Sequence, residues 1–176
     1  MQALPRLEQL EQLITEQIPR LRRYARALIR GDHSRADDLV QDCLERAWTR
    51  WHLWRRGSDM RAWLFTIMHN LYVNDVRRYR NGPSFVSLEH EHHDIPGEGA
   101  RTDEALVLDE LHAALDTLPL DQRSILLMVS LEGMGYEQIA KIIGVPVGTV
   151  MSRLFRARQH LRKVLAEPNA GIRRVK

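Results

Sequence analysis

Only one cysteine, Cys43, occurs among the 176 residues. A lone thiol closes no internal disulfide and completes no multi-cysteine zinc site. Long apolar runs are also missing, and nothing approaches the roughly 20 residues that cross a bilayer as a helix. The amino-terminal MQALPRLEQLEQL is amphipathic and carries acids, unlike a signal peptide. Aromatic residues make up only 6% of the chain, yet all four tryptophans fall between Trp48 and Trp63, so that stretch needs its own explanation. No segment alternates apolar and polar residues as a half-buried strand does. Enzyme signatures are missing as well: there is no glycine-rich phosphate loop, no HExxH pair and no nucleophile elbow. No carboxylate sits with a partner that argues for acid–base work. The expectation is a cytoplasmic, all-α binding protein with no catalytic residue, metal, cofactor or small-molecule substrate.

The net charge of +3 conceals a segregation. Residues 1–80 carry 15 Lys/Arg against 10 Asp/Glu, residues 81–117 carry 1 against 9, and residues 118–176 carry 10 against 4. Two basic modules therefore flank an acidic strip. Basic modules suit a polyanion; the plain alternative is solvated helix surface.

The most informative stretch is YEQIAKIIGVPVGTVMSRLFRAR, residues 136–158. Ile139, Ala140 and Ile143 make a helical apolar stripe, and Gly144 supplies the left-handed conformation that ends it. Pro146 suits the cap or first turn of a second helix. At about 100° per residue, Val147, Val150, Leu154, Ala157 and Leu161 share one face of that helix. Thr149, Ser152, Arg153, Arg156, His160 and Lys163 share the opposite one. A packing face backed by a cationic face is the pattern of a helix-turn-helix with its second helix in a DNA groove.

The amino-terminal half reads as a series of helices. Residues 6–17 place Leu7, Leu10, Leu13 and Ile14 on one face. Pro19 opens a second helix to Gly31 with Leu21, Tyr24, Ala25, Leu28 and Ile29 inward. Ser34 suits the cap of a third, with Asp37 and Asp38 near its positive end. Spacing buries Val40, Cys43, Leu44, Ala47 and Trp51 and turns Asp38, Gln41, Asp42 and Glu45 outward, with Trp48 at the edge. Cys43 reads as a core residue. HLWRRGSD breaks the pattern, with Asp59 or Ser58 able to cap the next helix, which runs to Asn81–Pro83. Its core stripe is Trp63, Leu64, Ile67, Met68 and Leu71; Thr66, Asn70, Val73 and Arg77 lie on another side. Amides and arginines beside an aromatic suit unstacked bases and phosphates, although Asn70 and Asn74 are equally readable as polar residues tolerated within a helix.

Residues 82–101 form a domain boundary rich in Gly, Pro and acids. His90, His92 and His93 lie there, in a spacing that matches no closed metal-ligand set. The second half opens at Thr102 with a helix carrying Leu106, Leu111, Leu115 and Leu118. Pro119 breaks it, DQRSILLMVSLEG gives a strongly apolar helix ended by Gly133, and Gly135 caps the helix-turn-helix.

DDLVQDCLERAW, AWLFTIMHNLYVNDVRR and LPLDQRSILLMVSLEGMGYEQIAKIIGVPVGTVMSRLFRARQHL, in this order, resemble the extracytoplasmic-function (ECF) sigma factors, the small two-domain specificity subunits of bacterial RNA polymerase. The resemblance spans about Leu21 to Leu165. It implies two helical domains joined by a flexible acidic linker: sigma region 2 over 1–82, the linker over 83–101 and sigma region 4 over 102–176, with no third DNA-binding domain. Asp38, Gln41, Asp42, Glu45 and Trp48 would meet the β′ subunit of core polymerase. Arg55, Arg56 and Ser58, in the loop from Leu53 to Asp59 that would receive a flipped base, would contact the melted −10 strand together with Trp63, Asn70, Asn74, Arg77 and Arg78. Thr149, Ser152, Arg153, Phe155 and Arg156 would read the −35 element. The linker would thread toward the polymerase active-site and RNA-exit channel. Core polymerase through β and β′, promoter DNA and an anti-sigma factor, often membrane-bound, are the implied partners. Two departures stand out: Met151 occupies a position where the family often has Lys or Arg, and Gly135 one where Ser commonly caps. The competing readings are an ordinary helix-turn-helix regulator and a sigma mimic that sequesters a partner.

Overall fold

A computed structural model describes residues 4–55, 57–81 and 103–166, with side chains described from Glu8 to Arg55, Gly57 to Tyr79 and Val107 to Ala166. Within them the chain is all-helical. The helices are α1 (Leu4–Thr15), α2 (Ile18–Leu28), α3 (His33–Thr49), α4 (Met60–Asn81), α5 (Asp103–Asp116), α6 (Leu120–Ser130), α7 (Tyr136–Ile143) and α8 (Val147–Ala166), with a 3-10 turn at Trp51–Leu53. The expected linker with its three histidines, the tail after Ala166, Arg56 and the side chains of Leu7 and Leu106 lie outside the described residues.

Local chemistry sets most of the boundaries. Pro19 sits in the first turn of α2, where a missing N–H costs nothing. Asp32, not Ser34, caps α3: its carboxylate accepts the Arg35 N–H at 2.8 Å. The helix starts at His33, so Ser34 is already inside it. Asp59 caps α4, its Oδ1 accepting the Ala62 N–H at 3.1 Å, while Ser58 turns back and donates to the Arg55 carbonyl at 2.6 Å. Gly144, at φ +75°, ends α7 as its sequence position requires. The N–H groups of Gly144 and Val145 both reach the Ala140 carbonyl, at 2.9 and 3.1 Å. Gly135 precedes α7 with no side-chain cap.

Leu21, Tyr24, Ala25 and Leu28 of α2 are buried as the spacing requires, as are Val40, Cys43 and Ala47 of α3. Several placements differ from the sequence expectation. Trp51 is exposed, because α3 ends at Thr49 and the 3-10 turn swings the ring outward. Leu13, Leu111 and Val147, expected inside, are also exposed. In α4 the buried set is larger than one stripe: Phe65, His69 and Tyr72 join Leu64 and Met68, while Trp63, Ile67 and Leu71 are half-buried. A second buried face needs a second neighbour. α4 packs on α3 along one side and on α7 along another.

The two halves are thus in contact. α2 lies against α6 and α4 against α7, and one apolar core runs through both halves. Tyr24 and Phe65 meet at its centre, ring centroids 5.1 Å apart and tilted by 56°. Ile125 and Met128 of α6 and Ile139 of α7 are completely buried beside Val150 of α8. Folding brings the helix-turn-helix onto the Trp-rich half.

Candidate polymerase and nucleic-acid interfaces

The outer side of α3 carries Asp38, Gln41, Asp42 and Glu45, all exposed, at a helical spacing that puts them on one face. Gln41 donates to Glu45 across one turn at 3.0 Å. Trp48 extends the face and is 48% exposed, a large apolar surface to leave in water. Beside it runs a groove of about 600 Å³ between α1 and α3, floored by Ile14, Ile18 and Leu44 and edged by Trp48. An acidic row flanked by an unpaired indole and an apolar groove suits a basic protein helix better than a nucleic acid.

The second set divides between the two ends of α4. Arg55 and Ser58 are exposed in the loop at its start, and Trp63 lies half-buried just inside the helix. Asn70, Asn74, Arg77 and Arg78 are exposed along its carboxyl half. Ser58 and Arg77 are separated by a helix length of roughly 25 Å, enough for several nucleotides of extended strand. Asp75, between the asparagines and the arginines, is occupied by Arg35 at 3.1 Å. Arg35 also stacks on the Tyr79 ring at 4.6 Å.

On α8 the polar face drawn from spacing splits. Ser152, Phe155 and Arg156 project into solvent with Met151, and Phe155 is 59% exposed. Thr149 is half-buried, its carbonyl accepting the Ser152 hydroxyl at 3.0 Å. Arg153 turns sideways, 3.0 Å from Asp121 of α6. His160 pairs with Thr117 at 2.7 Å. The outward surface at the start of α8 is therefore narrower than the sequence suggests: a serine, a guanidinium and two apolar side chains, with Lys163 exposed further along the same face. Those are groups that read base edges and thymine methyls in a major groove.

Sequence reasoning missed the charges in the seam between the halves. Glu132, at the end of α6, has a side chain with no exposed surface, and three arginines of the other half surround it. Arg23 grips Oε1 through Nη2 at 2.7 Å and Nε at 3.2 Å, and Nη2 also reaches the Leu131 carbonyl at 3.0 Å. Arg61 lies 3.3 Å from Oε2 and donates to the Glu132 carbonyl. Arg20 stands 3.7 Å from Oε2. Nearby, Asp59 accepts a hydrogen bond from Gln138 of α7, so the residue that caps α4 is also held by the helix-turn-helix. His69 is buried against the same partner half, with Nδ1 unpaired. Burial pushes its pKa down, with Asp121 opposing and Arg153 reinforcing. Burial likewise raises the Tyr24 phenol, and the Ser124 hydroxyl across the seam offsets part of that shift without a well-aligned hydrogen bond. The one available signal was Glu132 itself, a carboxylate ending an otherwise apolar run.

Two domain families match, one on each half: the Sigma2 domain of PhyR over residues 14–69 and Sigma-70 region 4 over residues 108–161. The ECF RNA polymerase sigma factor EcfG of Rhodopseudomonas palustris is 39% identical over 168 residues, covering 92% of this chain and 88% of that protein. The chain belongs to the ECF sigma factors. Solved structures agree with this fold. The sigma factor RpoE of Bartonella quintana, in complex with the anti-sigma factor NepR, superposes with a TM-score of 0.71 at 31% identity, over 92% of this chain and 99% of that one. CnrH, in complex with the cytosolic domain of CnrY, gives 0.64 at 26% identity, over 89% and 87%. The expected fold class is borne out: two helical sigma domains, all-α among the described residues. No described helix is long and apolar enough to cross a membrane.

Proposed function

We propose that this ECF sigma factor binds core polymerase through the α3 face, captures the melted −10 strand along α4 and reads the −35 element with α8. Asp38, Gln41, Asp42 and Glu45 would meet a basic helix of the β′ subunit, with Trp48 as the buried anchor of that contact. Arg55 and Ser58 would line the mouth that takes a flipped base, Trp63 would stack beside it, and Asn70, Asn74, Arg77 and Arg78 would hold the following bases and phosphates. Flipping and unstacking cost a few kcal/mol, so the site favours steps that stack weakly. Ser152, Phe155 and Arg156 would carry −35 recognition in the groove. The chemistry of RNA synthesis would stay with the polymerase.

One observation carries this reading: opposite-natured exposed faces sit on separate helices of one chain, an acid–indole face on α3 and an arginine–aromatic face on α8. A protein contact and a DNA contact can then form together. The packing of the halves adds a condition. Promoter elements named for positions −35 and −10 lie about 25 base pairs apart, roughly 85 Å of duplex at ~3.4 Å per step. A packed chain of this size has a radius of gyration of about 15 Å. The halves must therefore separate for both elements to be read at once, and the packed form is an off state. An anti-sigma factor that clasps the packed form would hold the protein inactive, in the cytoplasm or at a membrane according to where that factor resides. The comparison with NepR-bound RpoE supports this control.

The sigma-mimic reading keeps one specific support: the family matched over 14–69 is the Sigma2 domain of PhyR, and PhyR of Bartonella quintana is an anti-anti-sigma factor that complexes the anti-sigma factor NepR. Run-off transcription on a promoter library, with core polymerase and with or without this protein, separates the two. Specific initiation that depends on the protein is expected, lowered by charge reversal at Asp38 and Glu45. Binding to polymerase or to an anti-sigma factor without any specific initiation would favour the mimic.

A further inference from the structure

We propose that Arg20, Arg23 and Arg61 form a phosphate-binding site for the backbone of the melted promoter strand, and that Glu132 fills it in the packed molecule as an internal competitor. The proposal rests on the −10 reading above. The three guanidinium groups come from two helices of region 2 and converge on one carboxylate of region 4, at 3.7, 2.7 and 3.3 Å. Among the described residues, the ion pairs of these three arginines end on Glu132; the neighbouring Arg26 and Arg30 have aspartates of their own, Asp37 and Asp116. Region 2 therefore presents a converged triple charge that region 4 neutralises only while the halves are packed.

The shape of the site fits a phosphate. Arg23 already makes a two-nitrogen grip on one oxygen while Arg20 and Arg61 approach the other, the arrangement arginines use on phosphate oxygens. Arg20 and Arg23 are about half exposed, whereas the Glu132 side chain lies wholly beneath them, so the mouth opens to solvent once Glu132 leaves. The position favours nucleic acid over an acidic protein. Arg61 stands between Asp59, which ends the proposed base-receiving loop, and Trp63, the proposed stacking residue. The site lies on the seam side of α4, roughly half a turn around the helix from Trp63, Asn70 and Arg77, so it takes the backbone beside the base-receiving loop and not the stretch along α4. Departure of Glu132 and arrival of a phosphate then form one exchange: the charges that lock the packed form become charges that hold the opened strand. DNA shifts the population because it binds the open state alone.

Holoenzyme reconstituted with core polymerase tests this. The probe is single-stranded DNA enriched from a random pool by the wild-type holoenzyme, titrated over a range of salt. Glu132→Gln is expected to tighten binding by about tenfold, the size of an ordinary coupling between sites. Arg23→Ala and Arg61→Ala should each abolish that gain and reduce the salt slope by about 0.7, the contribution of one single-strand phosphate. Arg23→Lys should restore the slope. Arg20→Ala, at the rim of the cluster, gives the same readout should an inner variant fold poorly. Unchanged affinity in Glu132→Gln, or a gain that persists without the arginines, overturns the proposal. So does stronger competition by poly-glutamate than by the oligonucleotide, which would assign the site to an acidic protein segment. If no strand is enriched, or if Trp63→Ala leaves binding intact, the −10 reading itself has failed and the phosphate site falls with it.

Discussion

Arg123 of α6 reaches across the seam to cap α2, its Nη1 donating to the Leu28 carbonyl at 3.2 Å. The same guanidinium donates to the Leu115 carbonyl at 3.1 Å and pairs with Asp116 at 3.0 Å. Asp116 also accepts from Arg30 at 3.0 Å. One side chain thus satisfies a helix end of region 2 and a helix end of region 4 together. Carbonyls near a helix end need an outside partner, and here each domain takes its partner from a residue at their junction.

Arg123→Ala leaves the Leu28 carbonyl without its partner, while the Leu115 carbonyl keeps the Leu118 N–H at 3.1 Å and Asp116 keeps Arg30 at 3.0 Å. The expected loss is about 1–3 kcal/mol for each buried group left without a partner. Urea unfolding of the full chain should show the midpoint falling. Arg123→Lys should recover little, because one ammonium cannot reproduce the fork. An unchanged midpoint would mean water replaces the guanidinium without cost.

His69 makes the packed form sensitive to acid. Burial lowers its pKa below the ordinary 6.5, so the unfolded chain takes up a proton at a pH where the folded chain does not. Stability therefore rises with pH in that window and is lost as pH falls below about 6.5. Facing the ring, Asp121 opposes the shift and Arg153 adds to it. His69→Gln should flatten the difference between unfolding midpoints at pH 7.5 and 5.5. A difference as large in the variant as in the parent would place the acid sensitivity elsewhere.

Cys43 is expected to be inert. It is fully buried, its Sγ lies 3.4 Å from the Leu64 carbonyl, and burial pushes its thiol up to about 12. The thiolate is the reactive form, so a maleimide at pH 8 should label the protein only as fast as it unfolds. Rapid labelling under native conditions would contradict the packing of α3 on α4.

The α8 surface makes two paired predictions. Arg156→Ala should cost about 1–3 kcal/mol in binding a −35 duplex if it reads a base bidentately. Met151 is 53% exposed on the same surface. Met151→Arg should raise the salt slope by about 0.9, as one added duplex phosphate contact does. A slope unchanged in Met151→Arg would place that residue away from the DNA.

Much of this fold was legible because its signals are local. Gly144 had to end α7, Pro19 had to open α2, and the stripes of α2, α3 and α8 gave most of their buried residues by spacing alone. The errors share one cause. Trp51, Leu111 and the second buried face of α4 depend on what packs against them, and that is set by residues tens of positions away. Ser34 lost the cap of α3 to Asp32, two residues earlier, a choice that composition alone does not make. The α3 face was recoverable in full as an exposed set. The α8 face was recoverable only in part, because Arg153 and His160 satisfy themselves within region 4. The Glu132 cluster was not legible at all: its partners lie 71 to 112 positions earlier, and no periodicity links residues over that distance.

The separation of region 2 from region 4 is the step on which the account turns, and a distance measures it directly. Spin labels at Gln12→Cys and Lys141→Cys, both exposed positions on opposite halves, leave the buried Cys43 unlabelled. Double electron–electron resonance should give one short distance in the free chain and a distance tens of ångströms longer in the promoter-bound holoenzyme, on the scale of the ~85 Å between the elements. The same short distance in a complex that initiates transcription would contradict it.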